Sequence, residues 1–230
     1  MRHISYEIIK SKKILHKELQ EIVELHQSVF NLNRSFILKN LLMNHKVLLY
    51  RDSDTKQLIG TIGVCWLRFR FDLVCHLSSI VIRKDHQNHG LLTHGMSVLL
   101  RYTLLRYPLF NKYATGLVTT KMAMQWLSKF NGFWPNRIKH TPRELINIQQ
   151  QLINNLFPND QFFLKNGAFY SNRLIKNSMI YRSVSDDASL ISAKSQMMAV
   201  MKVGVATFIP LLVLAVKRKV SYLFSVKIFN

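Results

Sequence analysis

The sequence predicts an α/β (α+β) domain in which helices flank a mixed, mostly antiparallel sheet, with an added C-terminal hydrophobic helix. Three observations carry this prediction. Helical and strand-like patterns alternate along residues 14–184, three strand-like stretches follow one another with short connections, and a nearly uncharged stretch covers 197–216. With 48% apolar residues in a chain of 230, a hydrophobic core can form, which excludes global disorder.

Two helices are predicted first. Residues 14–30 place apolar side chains at nearly helical spacing, with three glutamates on the opposite face. A second helix is predicted over Ser35 to Met43, with Ser35 as the N-cap. Residues 1–13 do not resemble a signal peptide, because charged residues interrupt their apolar positions.

A meander of three strands and a long helix follow. The strands are predicted over Lys46–Arg51, Gln57–Phe71 and Leu73–Ile82. The helix begins after Gly90 and ends before Pro108. The remaining predicted elements are a strand over Tyr113–Val118, helices over 122–130 and 144–156, and strands over 161–170 and 178–184.

The stretch Ser78–Gly95 joins a strand to a helix through a basic polar loop that ends in Gly90. N–H groups at a helix N-terminus lack intrahelical acceptors, and the helix dipole adds partial positive charge, so this junction favours an anion. Gly90 would let a phosphate approach the backbone, and the Arg, Lys and His side chains of 83–89 would add donors. By itself, the loop equally fits an ordinary connection with a solvated basic face.

This arrangement resembles the GNAT (Gcn5-related N-acetyltransferase) superfamily. Its members have two N-terminal helices, a β meander, and a strand that leads into (Q/R)-x-x-G-x-(G/A) and a helix. Here the signature is Gln87-Asn88-His89-Gly90-Leu91-Leu92, in which Gln87 and Gly90 match. Leu92 departs from the small residue that the family uses where the backbone approaches a pyrophosphate.

The resemblance covers about residues 1–185, and its specific part is confined to 60–135. It implies that acetyl-CoA, or another acyl-CoA, is the cosubstrate, and that no metal is needed. Strands 73–82 and 113–118 would splay to leave a cleft for the thioester. Backbone groups of Ile80, Val81, Ile82 and Arg83 would pair with the pantetheine arm, and the amides of Gln87, Asn88, His89, Gly90, Leu91 and Leu92 would hold the pyrophosphate.

Direct attack of an amine on the thioester needs a base for the ammonium proton and an acid for the departing thiolate. The family acid is a Tyr about four residues before a Gly-Phe pair, where this chain has Ser128; Tyr113 is the fallback. The family's base lies near the position of Ser78, and His76 is on the same face of that strand. For each candidate, a packed or exposed side chain without catalytic role is the alternative.

Two arginines, Arg68 and Arg70, alternate with apolar residues on the second predicted strand. They therefore lie on one face of that strand. Recognition of an acidic acceptor and a solvated sheet edge are both open interpretations.

The composition changes after residue 184, which suggests a GNAT-like domain over 1–184, a polar linker over 185–196 and a hydrophobic and basic segment over 197–230. Residues 197–216 have the length that spans a bilayer, with no charge between Lys202 and Lys217. Three interpretations stay open: a transmembrane anchor, a segment lying on a membrane, and a helix buried in the domain or in a homodimer interface.

The net charge is +20, from 32 Lys and Arg against 12 Asp and Glu, while the mean hydropathy is +0.05. This combination indicates contact with an anion, a membrane or both. We expect a cytoplasmic acyl-CoA-dependent N-acyltransferase, held at the cytoplasmic face of a membrane if 197–230 binds one. The alternatives are a degenerate, non-catalytic GNAT-fold module and a basic protein associated with nucleic acid or tRNA. Evenly spread basic residues without a known binding motif disfavour nucleic acid as a partner.

Overall fold

The structure is a computed structural model that describes residues 2–30, 32–118, 133–134, 141–160, 162–165, 168–171, 196–203 and 222–226. The chain divides into two units. The first comprises Met1–Cys65, Leu77–Arg106 and Phe208–Asn230, and the second comprises Trp66–His76 and Tyr107–Thr207.

The described helices and strands follow the α/β class that the sequence predicts. The helices are α1 (His16–Val29), α2 (Arg34–Leu42), α3 (Leu91–Arg106) and α4 (Arg143–Leu156). The strands are β1 (Arg2–Lys10), β2 (Lys46–Asp52), β3 (Leu58–Phe69), β4 (Asp72–Ile82), β5 (Asn111–Val118), β6 (Phe133–Trp134), β7 (Phe162–Lys165), β8 (Ala168–Ser171), β9 (Gln196–Val203) and β10 (Tyr222–Val226).

The first unit contains strands in the order β10-β1-β2-β3-β4, where β3 and β4 contribute Leu58–Cys65 and Leu77–Ile82. β1 pairs in parallel with β10 and antiparallel with β2, and β2 pairs antiparallel with β3. Helices α1 and α2 cover this unit through a core that includes the fully buried Ile22, Leu41 and Val47. Burial of such apolar surface is the main stabilising contribution of this layer.

Helix α2 begins at Arg34, two residues earlier than the predicted N-cap Ser35 allows. The cap is Asn33, whose side-chain oxygen accepts from the Phe36 N–H at 2.8 Å, while the Ser35 hydroxyl donates to the same oxygen at 3.0 Å. Both residue types favour this position, so the local sequence pattern left their order open.

In the second unit, β9 lies between β5 and β8, and β7 pairs with β8, all antiparallel. Helix α4 packs on these strands through Ile148 and the fully buried Leu152. The side chain of Gln149, also fully buried, donates to the Met198 carbonyl at 2.9 Å. The strand pairings are mostly antiparallel, and the predicted class, in which helices flank a mixed, mostly antiparallel sheet, is confirmed.

The predicted hydrophobic helix over 197–216 is wrong for its first seven residues, because Gln196–Val203 forms strand β9. Met198 and Val200 are completely buried, and the ladder to β5 satisfies the backbone. A short, mostly apolar stretch suits a buried strand as well as it suits a helix. Residues 204–216 lie outside the described residues, as do the predicted helix 122–130 and strand 178–184. Within the described part of the chain, every helix is too short or too polar to cross a membrane.

Candidate active site

The predicted anion-binding loop connects β4 to α3 within the first unit. It contains a 3₁₀ turn over Lys84–His86 and two residues with positive φ, Asn88 at 65° and Gly90 at 87°. A Cβ at Gly90 would meet no atom within 4 Å, so glycine is favoured here by backbone conformation and not by lack of space. The Gly90 carbonyl accepts from the His94 N–H at 2.9 Å, so α3 begins directly at the loop. The N-terminal N–H groups of this helix therefore adjoin the loop.

Polar side chains of the loop bind one another. The guanidinium of Arg83 donates twice to Asp85, at 2.8 and 2.7 Å, and His86 Nδ1 lies 2.8 Å from the same carboxylate. These hydrogen bonds, that from Arg83 first, hold the pKa of the Asp85 carboxyl well below its usual range. The Gln87 amide donates to the Ile82 carbonyl at 2.9 Å and closes the loop onto the end of β4.

The structure brings the ten predicted CoA-binding residues together in one strand–loop–helix segment, but with unequal exposure. Val81 and Leu91 are buried in the core at 1% and 2%, while Ile80 is 36% exposed. The Arg83 N–H donates to the Ile59 carbonyl at 2.9 Å, so β3 already engages that amide. Asn88 and His89 are exposed, whereas Ile82, Gln87, Gly90 and Leu92 are half-buried.

A buried tyrosine fixes the first turn of α3. The hydroxyl of Tyr50 lies 3.0 Å from the Leu91 carbonyl oxygen and 2.8 Å from His94 Nδ1. Both hydrogen bonds form when the hydroxyl donates to Leu91 and accepts from the His94 ring. Burial raises the pKa of Tyr50 well above its usual value and lowers that of His94 to about 4. Gly95 makes room for this contact, because a Cβ there would lie 2.9 Å from the Tyr50 hydroxyl and 2.4 Å from Ile62 Cδ1.

Asn44 holds the distorted part of β4. Ser79 has a positive φ of 48°, which is costly for a residue with a side chain. The buried Asn44 side chain accepts from the Ser78 hydroxyl at 2.7 Å and donates to the Ser79 hydroxyl at 3.3 Å. The Thr61 hydroxyl donates to the Ser79 carbonyl at 2.8 Å. Ser78, a candidate base position, is therefore anchored to Asn44.

His76, the other candidate base, is buried in the second unit at 4% exposure. Its Nδ1 lies 3.1 Å from the Thr115 hydroxyl, and its ring meets Phe157 edge-on at 5.8 Å. Burial lowers its pKa to about 4, so the ring is neutral at neutral pH and holds a proton poorly. This geometry favours the packed-histidine interpretation.

Tyr113 is completely buried, and its hydroxyl donates to the Glu144 carboxylate. Burial is the main cause that raises the pKa of this phenol, with the Glu144 hydrogen bond second. The Lys202 ammonium lies 3.4 Å from the same carboxylate. A phenol held in this way is a weak acid for a departing thiolate. Ser128, the other candidate acid, lies outside the described residues.

The order of the described elements agrees with the order that the resemblance implies. Helices α1 and α2 precede the antiparallel strands β2, β3 and β4. Strand β4 leads through residues 83–90, which we call the Gly90 loop, into α3 and then β5. Strand β1, before the two helices, is an element that the sequence did not predict.

No model of a known protein family matches the sequence, and no curated protein matches it. Among solved structures, the chain is similar to the catalytic domain of Tetrahymena GCN5 histone acetyltransferase in complex with coenzyme A. The identity is 14%, with a TM-score of 0.43 over 62% of this chain and 82% of that chain. It is also similar to Escherichia coli ElaA, at 9% identity and a TM-score of 0.45 over 86% and 99%. A third similar structure is the NatC complex bound to Gag peptide and CoA, at 10% identity and a TM-score of 0.46 over 88% and 99%.

Proposed function

We propose that the protein is an acyl-CoA-dependent N-acyltransferase that transfers an acetyl group from acetyl-CoA to an amine. The observation that carries this proposal is the junction of β4, the Gly90 loop and α3. Two residues with positive φ turn the backbone there, at the N-terminus of a 16-residue helix. At such a junction, the first N–H groups lack intrahelical acceptors, and together with the helix dipole they favour a pyrophosphate.

In the proposed reaction, the amine nitrogen attacks the thioester carbonyl and forms a tetrahedral species. The carbon–sulfur bond then breaks, the amide remains, and CoA leaves as a thiolate that takes up the proton that the nitrogen loses. Binding and orientation of the two substrates supply most of the acceleration in this scheme. We expect His76 and Tyr113 to contribute through packing, since His76 has a pKa of about 4 and Tyr113 donates to Glu144.

The binding step is tested by thermal unfolding with millimolar acetyl-CoA. A ligand at about 100 times its Kd stabilises the folded state by about 2.7 kcal/mol, which is about 5–10 °C in Tm for a chain of this size. We expect this shift for the wild type and for Arg70→Ala, a control in an exposed turn outside the loop. Gly90→Val should reduce the shift. No shift in the wild type would refute the proposal.

Turnover is tested by release of free CoA thiol with a panel of amines. If His76 acts through packing, His76→Gln lowers the rate without moving the acid limb of the pH–rate profile. Loss of that limb in the variant would instead make His76 the base.

A second candidate is a GNAT-fold module that binds acyl-CoA without catalysis. Two hydrogen bonds favour this function, that of His76 with Thr115 and that of Tyr113 with Glu144. They engage the two candidate catalytic side chains in contacts within the fold. A thermal shift with acetyl-CoA but no thiol release with any amine would select this function.

A further inference from the structure

Two neighbouring turns of the second unit expose large apolar side chains. Phe71, in the turn between β3 and β4, is 79% exposed, and Leu109, in the loop before β5, is 92% exposed. Asn111 joins the turns, since its N–H donates to the Phe71 carbonyl at 2.9 Å and its side chain donates to Asp72 at 3.1 Å. We call residues 70–71 and 107–110, with Arg68, the apolar-basic tip.

The turn of the tip is occupied by residues that folding alone does not favour. Two residues, Arg70 and Phe71, connect β3 to β4, and Arg70 has a positive φ of 55°. Gly, Asn or Asp adopt such a conformation at lower cost. Exposure of Phe71 to water is a second cost. Neither feature stabilises this unit, so its folding does not explain them.

Arginines accompany the apolar side chains. The Arg68 guanidinium lies 5.4 Å from the centroid of the Tyr107 ring and 4.8 Å from that of Phe110, which fixes its position beside the loop. Arg68 and Arg70 are both exposed, and neither forms an ion pair with another described residue. Their charges therefore remain available to an anionic partner.

We propose that the apolar-basic tip binds the surface of a bilayer that contains anionic lipids. Phe71 and Leu109 project from turns, and the interface of a fluid bilayer accepts projecting side chains without a complementary pocket. Lipid phosphates match the guanidinium groups of Arg68 and Arg70. The net charge of +20 draws the chain toward the same surface. The proposal does not depend on the acyltransferase activity or on residues 204–230.

The test is sedimentation of the full-length chain with phosphatidylcholine vesicles, with and without phosphatidylserine. Phe71→Ser/Leu109→Ser should weaken binding to the anionic vesicles about tenfold or more, because both apolar anchors are lost. Phe163→Ser/Leu164→Ser is the matched control, since the same residue types are 45% and 52% exposed on β7 of the same unit. It should bind as the wild type does.

Arg68→Gln and Arg70→Gln should each weaken binding about fivefold at low salt, and high salt should remove this difference. A fluorophore sensitive to polarity, attached at Leu109→Cys, should shift to the blue on anionic vesicles, whereas the same label at Leu164→Cys should not. Both Cys65 and Cys75 are buried, which favours labelling at the introduced thiol.

Three results would overturn the proposal. The first is equal vesicle binding by the Phe71→Ser/Leu109→Ser variant and its control. The second is dimerisation of the wild type that this variant loses, without vesicle binding, which would make a second copy the partner. The third is salt-sensitive binding to RNA that needs the arginines but not Phe71, again without vesicle binding.

Discussion

Gly95 offers a sharp test of how α3 is held on the first unit. In Gly95→Ala, the added Cβ would lie 2.4 Å from Ile62 Cδ1 and 2.9 Å from the Tyr50 hydroxyl. Ile62 and Tyr50 are both completely buried, and Tyr50 is hydrogen-bonded to the first turn of α3, so neither can move away freely. Overpacking of this kind costs about 3 kcal/mol, and the better helix propensity of Ala returns about 1 kcal/mol.

The expected net loss is therefore about 2 kcal/mol, or about 4–8 °C in Tm, measured by urea and thermal unfolding. Ile62→Val removes Cδ1 and costs about 1 kcal/mol by itself. In a protein that already carries Gly95→Ala, Ile62→Val should leave the free energy of unfolding unchanged or raise it. The coupling energy between the two substitutions in the double-mutant cycle should therefore be at least about 1 kcal/mol. Strict additivity, or a Tm for Gly95→Ala equal to the wild type, would refute the close packing described for α3.

Three further predictions concern the loop, three histidines whose pKa values burial lowers, and one ion-pair cluster. Gly90→Ala should lower the free energy of unfolding by about 1–2 kcal/mol, because Gly90 has a φ of 87° that alanine adopts at a cost. A Cβ there would meet no neighbouring atom, so a coupling energy with Ile62→Val would contradict this explanation. His26, His76 and His94 have pKa values of about 4 when folded, below the unfolded value of about 6.5. Their contribution to stability is complete above pH 6.5 and is lost as the pH falls from 6.5 to 4. The free energy of unfolding should fall by up to about 4 kcal/mol per pH unit in this range. In urea unfolding, His76→Gln should make this dependence on pH less steep. Arg51→Gln should destabilise by about 1–2 kcal/mol at low salt and less at high salt, because Arg51 lies 2.6–3.9 Å from three glutamates; a loss independent of salt would contradict the ion pairing.

Local patterns explain which elements could be predicted. The apolar spacing of 14–30 predicted α1, and the turn residues after Arg51 separated β2 from β3. Helix α3 was predicted to begin after Gly90, and it does. Each of these signals lies within a few residues of the feature that it predicts.

Strands that depend on distant partners could not be predicted in this way. β1 carries a buried Ile4, yet its strand conformation depends on pairing with β2 and with β10. The sequence of β9 is mostly apolar, and its strand conformation depends on antiparallel pairing with β5. Short apolar stretches leave helix and strand equally open.

The same distinction applies to the candidate site. The strand, loop and Gly90 were predicted together, because they are contiguous. The contact of Tyr50 with His94 joins residues 44 apart, and that of Ser78 with Asn44 joins residues 34 apart. Neither contact corresponds to a spacing or motif in the sequence, because both depend on how distant segments pack together.

The parallel pairing of β1 with β10 also bears on synthesis of the chain. The ribosome makes β1 before β10, and Tyr222–Val226 emerges only after every residue of the second unit. Until then, one edge of β1 has unpaired N–H and C=O groups, which are a template for pairing with other nascent chains. We expect the period between these two events to be the time of greatest aggregation risk, and a chaperone that binds extended segments to act there.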